Sequence, residues 1–158
     1  MEFDDILKIV SDKYSVESDS ENKIIRLTPE NMLDVCGHLF DDPSLLFDYL
    51  MCITSIDNQE NGLELAYNLY SYKNRHYLEL RIVIQDNKAV PSVESIWKTA
   101  DWHEREAYDM MGIEFSGHPN LTRILLPEDW EGFPLRKDYE ESDYYHGMPI
   151  PKDKTEWE

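Results

Sequence analysis

Residues 63–84 read LELAYNLYSYKNRHYLELRIVI. Leu63, Leu65, Tyr67 and Leu69 alternate with Glu64, Ala66 and Asn68; beyond a turn around Asn74, Leu78, Leu80, Ile82 and Ile84 alternate with Glu79, Arg81 and Val83. A two-residue period puts each apolar set on one side of a strand. The two runs are therefore predicted to pair as antiparallel neighbours with one face buried. Asn61-Gly62, just upstream, can turn a hairpin from a third strand predicted over 48–56.

The elements flanking this sheet are helical. Towards the N-terminus, Phe3, Ile6, Leu7 and Val10 share one side of a short helix over 4–14, and 23–27 reads as a strand. Thr28-Pro29-Glu30 has the form of a helix start, with Thr as cap and Pro in the first position. Met32, Leu33, Cys36, Leu39 and Phe40 then recur at helical spacing until Asp42-Pro43 breaks the run. Towards the C-terminus, Val90-Pro91-Ser92 is predicted to open a helix over 93–111, capped by Ser92 and closed by Gly112. After residue 113 come five of the eight prolines, interleaved with Gly117, Gly132 and Gly147, so no long element is expected there. The fold class is α+β: a single domain over 1–112, with a mixed or antiparallel sheet packed by helices, then an irregular extended C-terminal arm over 113–158.

Composition narrows the function. Apolar residues make up 41% of 158, enough for one core, so wholesale disorder is excluded. The net charge of −18 argues against nucleic acid and against docking on anionic lipid. Cys36 and Cys52 are too few for a disulfide framework or for the four thiolates of an iron–sulfur cluster. The opening MEFDDILK is acidic where a secretory signal is basic, and no apolar run approaches the ~18 residues of a membrane span. A reduced, cytoplasmic-type chain with no direct membrane span is expected.

Few residues carry chemistry. On the helix predicted over 93–111 the apolar stripe runs Val93, Trp97, Ala100, Glu104, Tyr108, Met111, which puts a carboxylate where an apolar side chain belongs. A buried carboxylate needs a partner or a shifted pKa. Glu104 is either an acid/base or half of a structural ion pair, the plainer reading, with Arg123 or Arg136 from the arm as partner. His103 and Glu106, three apart, with His118 as a third ligand, form the alternative: a stand-alone metal-dependent enzyme. Cys36 and Cys52 read as core residues. No GxGxxG follows a strand, and there is no Walker loop and no nucleophile elbow. The chain thus reads as a binding or scaffold protein with no cofactor of its own. Ile124, Leu125, Leu126, Trp130, Phe133 and Leu135 are a surplus of large apolar residues in a broken segment, beside the basic pair Arg136-Lys137. Such an arm suits a surface along another protein.

These residues also carry a family likeness. The run EREAYDMMGIEFSGHPNLTRILLPEDWEGFPLRKDY, residues 104–139, resembles the signature of the 30 kDa subunit family of respiratory complex I, the C-type subunit of the proton-translocating NADH–quinone oxidoreductase. VPSVESIWKTADW, residues 90–102, extends the likeness upstream. It departs from the family pattern at Leu121-Thr122, often a charged pair, and at Phe133, often a His. The resemblance implies a non-catalytic α+β subunit of the peripheral arm that binds no cofactor itself, with FMN, iron–sulfur clusters and quinone on partner subunits. It implies the large quinone-site subunit of the D type and the adjacent cluster-bearing subunit of the B type as partners, at the cytoplasmic side of the inner cell membrane. The implied contact residues are Arg123, Trp130, Pro134, Leu135, Arg136, Lys137 and Asp138. Glu104, Arg105, Glu106, Asp109, Gly112, Gly117, His118 and Pro119 would fix the junction of helix and arm. Ferredoxin-fed and hydrogenase-type relatives of complex I carry similar domains, so the electron donor is left open.

Overall fold

A computed structural model describes residues 2–59, 62–84 and 88–150. Asn61 of the expected hairpin turn and residues 151–158 of the arm lie outside the described residues.

The order is α1 (Phe3–Ser11), β1 (Glu17–Asp19), β2 (Ile24–Leu27), α2 (Met32–Asp41), β3 (Tyr49–Asp57), β4 (Leu63–Ser71) and β5 (His76–Ile84), then β6 (Val90–Pro91), α3 (Ala100–Met111), β7 (Phe115–Ser116), β8 (Tyr144–Tyr145) and β9 (Met148–Pro149). A five-stranded sheet runs β1-β2-β5-β4-β3. Strands β3, β4 and β5 are consecutive and antiparallel, with Leu63 opposite Ile84 and Ser71 opposite His76, while β2 lies parallel to β5. The sheet is thus mixed, and the long connection that a parallel pair needs runs from β2 through α2, β3 and β4 to β5.

Leu65, Tyr67, Leu69, Leu78, Leu80 and Ile82 point to one side, where they meet Ile6 and Val10 of α1 and Met32, Val35, Cys36 and Leu39 of α2. Each such side chain, fully buried, contributes roughly 1.5–3 kcal/mol of transfer free energy. Strand β4 is buried on its other face as well, contrary to the one-sided expectation: Glu64 and Ala66 are both 5% exposed. Long polar neighbours cover them. Glu64 Oε1 pairs with Arg26 at 3.1 Å and Arg81 at 3.6 Å, and its Oε2 accepts from Asn58 Nδ2 at 2.8 Å.

Two helix starts fall later than the sequence suggests. Thr28-Pro29-Glu30 forms a turn, in which the Asn31 side chain accepts the Thr28 N–H, and α2 begins at Met32. The helix predicted over 93–111 begins at Ala100. Val90 and Pro91 instead form β6, parallel to β7, and the Ser92 N–H donates to Ser116 O at 2.9 Å. Residues 93–99 are turns that deliver Trp97 Nε1–H to Phe47 O (2.9 Å) and Thr99 Oγ1–H to Leu50 O (3.3 Å). The apolar spacing of Val93 and Trp97 is real and both are buried, but Trp97 docks on the loop before β3 and neither lies in the helix.

Candidate functional site

The C-terminal end of α3 and the first turns of the arm meet around one buried carboxylate. Asp109, fully buried, is the centre. Its Oδ2 accepts the backbone N–H groups of Ile124 (3.0 Å), Leu125 (2.7 Å) and Leu126 (3.0 Å), and its Oδ1 accepts Arg123 Nη1 at 2.8 Å. Burial alone would raise this carboxyl's pKa, but those donors outweigh it and hold the group below the usual range. Three consecutive N–H groups on one oxygen fix the arm as an anion nest does. Arg123 also donates from Nη2 to Trp130 O and Gly132 O, both at 3.2 Å, which folds the arm back on itself.

Gly112 ends α3 at φ +68°, a left-handed conformation favoured by glycine. The Phe133 ring occupies the space a side chain would take: a Cβ at 112 would stand 2.5 Å from Phe133 Cε2. That ring lies beneath two guanidinium groups, Arg123 at 5.4 Å and Arg136 at 5.1 Å from its centroid. Arg136 Nε donates to Met111 O at 2.6 Å, Leu135 N–H to Met110 O at 3.1 Å, and Lys137 N–H to Asp57 Oδ2 at 2.8 Å. Both candidate contact arginines are therefore turned to their own chain. Outward lie Leu125, 62% exposed, and Leu135, 60% exposed, with Lys137 and Asp138. Pro134 and Trp130 are half-buried; the Trp130 ring meets Tyr145, and its Nε1–H finds no acceptor among the described residues.

Glu104 is fully buried, but its partner is not an arm arginine as expected. Oε2 accepts the Ser92 hydroxyl at 2.5 Å and Oε1 the Val93 N–H at 2.8 Å. Burial pushes its carboxyl up to about 7, against the lowering effect of those two bonds. The His118 side chain, fully enclosed, places Nε2 at 3.9 Å from Glu104 Oε2 and 3.3 Å from Asp101 Oδ1. The Asn120 N–H donates to its Nδ1 at 3.0 Å, which assigns the ring proton of the neutral form to Nε2. Of the two partners expected for Glu104, Arg123 is drawn to Asp109 and Arg136 to Met111 O.

His103, Glu106 and His118 are not brought together. His118 passes under α3 while Glu106 faces solvent, and among the described residues no group of three or more His, Cys, Asp or Glu could hold a metal ion. Gly117, at φ +81°, and the exposed Pro119 flank His118 in the chain that leads to it. Arg105 binds the arm by donating from Nε and Nη2 to Thr122 O and Oγ1. Sequence reasoning missed Asp101, Thr122 and Asp57; only Asp101, three residues before Glu104, stood at a spacing that could have drawn attention.

Comparison with known proteins bears on the whole assembly of these residues. A family model described as "Respiratory-chain NADH dehydrogenase, 30 Kd subunit" matches residues 25–145, reaching well upstream of the likeness seen in the sequence. A protein of Chlorobium phaeobacteroides, named as the C subunit of NADH-quinone oxidoreductase, is 48% identical over 121 residues, 75% of this chain and 73% of that one. Proteins of the same name from Chloroherpeton thalassium and Roseiflexus castenholzii are 46% and 45% identical, over 70% and 72% of this chain and 47% and 67% of theirs. The fold is similar to a solved structure, "Nqo5 of the trypsin-resistant fragment (1-134) in P63 form", with a TM-score of 0.62 and 24% identity, covering 77% of this chain and all of that one. Among the described residues no helix is long and apolar enough to cross a membrane. The chain therefore belongs to the 30 kDa subunit family of the respiratory-chain NADH dehydrogenase.

Proposed function

We propose that this chain is a non-catalytic structural subunit of the peripheral arm of a proton-translocating NADH–quinone oxidoreductase, and that its work is positional. Electrons would pass from NADH through FMN and iron–sulfur clusters on other subunits to quinone, and this domain would hold the quinone module in register. Its partners would be the large quinone-site subunit of the D type and the neighbouring cluster-bearing subunit of the B type. Held by them, it would lie at the cytoplasmic side of the membrane without entering it.

The observation that carries this reading is how the arm is fastened. Arg123, Arg136 and backbone N–H groups of the arm are turned inward to Asp109, Met110, Met111 and Asp57, while Leu125 and Leu135 are left facing solvent. A segment stabilised by its own core would bury its leucines and expose its arginines. The inverse suits a surface for another subunit, where stable assemblies bury on the order of 1,000 Å² or more.

The test is affinity purification of the chain from mild-detergent extracts of its native membranes, comparing the natural sequence with Leu125→Ser/Leu135→Ser. The natural chain is expected to bring membrane pump subunits and cluster-carrying proteins. The double variant should recover about tenfold less of them, as loss of two interface anchors implies, with the isolated chain's melting temperature unchanged. A natural chain recovered alone, or full assembly by the variant, overturns the reading.

A further inference from the structure

Arg105 stands where helix pairing ordinarily neutralises a cation, and it is not neutralised. The residues four before and four after it on α3 are both carboxylates, Asp101 and Asp109, the spacing at which ion pairs form. Each is committed elsewhere. Asp101 turns to His118, and Asp109 is taken by Arg123 and three arm N–H groups. Among the described residues no ion pair includes Arg105.

The guanidinium is nevertheless held in place. Nε donates to Thr122 O at 3.1 Å, Nη2 donates to Thr122 Oγ1 at 3.0 Å, and the group lies 5.0 Å above the centre of the Trp102 ring. Those bonds leave Nη1 without an acceptor among the described residues. Trp102 is 62% exposed. In a chain with 33 acidic and 15 basic residues, a fixed arginine without a carboxylate, stacked on an exposed indole, is arranged to receive a carboxylate from outside.

We propose that the Trp102–Arg105 face of α3 docks a neighbouring protein subunit, which brings an Asp or Glu to Arg105 Nη1 and an apolar side chain to Trp102. This rests on the chain being an assembled subunit, but on residues separate from Leu125 and Leu135. Thr122, which holds Arg105, lies three residues before the exposed Leu125. A net charge of −18 disfavours both anionic lipid and a second copy of the same chain as the occupant. Trp and Arg side by side are the residues that most often dominate protein interfaces.

The experiment places a photoreactive benzoylphenylalanine at position 102 in cells, and the whole complex is purified after irradiation. A cross-link to one peptide of another subunit, containing an Asp or Glu, is expected. Arg105→Glu should lower recovered complex about tenfold, and exchanging that peptide's carboxylate for Arg should restore it. A defect in folding could not be rescued in this way. Trp102→Ala should lower assembly while leaving the isolated chain's melting temperature unchanged. Cross-links to lipid, to a second copy or within the chain only, or full assembly with Trp102→Ala/Arg105→Glu, overturn the proposal. If that double variant assembles while Leu125→Ser/Leu135→Ser does not, this docking face falls and the subunit reading stands. A natural chain recovered without any partner removes both.

Discussion

Glu104 ties the stability of this protein to pH through one buried carboxyl. In the unfolded chain it releases its proton near 4.5; in the fold burial pushes that value to about 7. Between those values the native state keeps a proton that the unfolded state has lost, so this group's contribution falls as pH rises and levels off above about 7. The span corresponds to a contribution on the order of 3 kcal/mol. Glu104→Gln keeps an oxygen for the Val93 N–H and offers an amide to Ser92, but has nothing to titrate. Relative to the natural chain, the variant should therefore gain stability between pH 5 and pH 8, read as a rising difference in urea midpoints. A difference that does not change with pH would show that the carboxyl titrates normally in the fold.

At the scale of elements, the junction between α3 and the arm depends on Gly112. Gly112→Ala imposes a left-handed conformation costing roughly 1 kcal/mol and pushes Phe133 from beneath Arg123 and Arg136. The expected result is a loss of about 2 kcal/mol or more, overpacking included, with faster proteolysis within 117–140 than in the core. Uniform resistance along the chain would contradict it. Strands β4 and β5 were legible because a period of two has one structural meaning, and their register follows from which residues must face α1 and α2. Of the helix predicted over 93–111, only the last three turns form, and these are α3. Val93 and Trp97 fit the helical stripe equally well, and nothing local reveals that the Ser92 and Val93 N–H groups are claimed by Ser116 and Glu104. The site was legible as a set of residues but not as a set of pairs. Glu104 announced its burial by breaking an apolar stripe, whereas its partner depended on a strand pairing that brings Ser92 under the helix. Asp109 stood among the expected junction residues, but nothing local showed that Arg123 and three consecutive N–H groups of the arm converge on it.

For the whole molecule, the question is whether the arm and the core are one cooperative unit. The hydrophobic core cluster ends at Phe115, with Leu121 partly packed against it, so the arm contributes little apolar burial to the domain. What binds the two is largely polar and passes through Asp109. Breaking a buried pair by removing one partner typically costs about 3–5 kcal/mol because the other charge is left stranded. Asp109→Asn in the full chain should therefore cost about 3 kcal/mol, since Arg123 loses its counter-charge. A chain ending at Asn120 retains the His118 contact to Glu104 but lacks Arg123 and the three N–H donors. There Asp109 is an unpaired acid, and the same substitution should be nearly neutral or stabilising. Denaturant unfolding of the four chains closes a double-mutant cycle, with an expected coupling of about 2 kcal/mol or more. Equal costs in both backgrounds would mean that Asp109 serves α3 itself, and that the arm is held by Phe133 and Arg136 instead. A large coupling would identify one aspartate as the fastening by which an otherwise independent domain holds its arm ready for a neighbour.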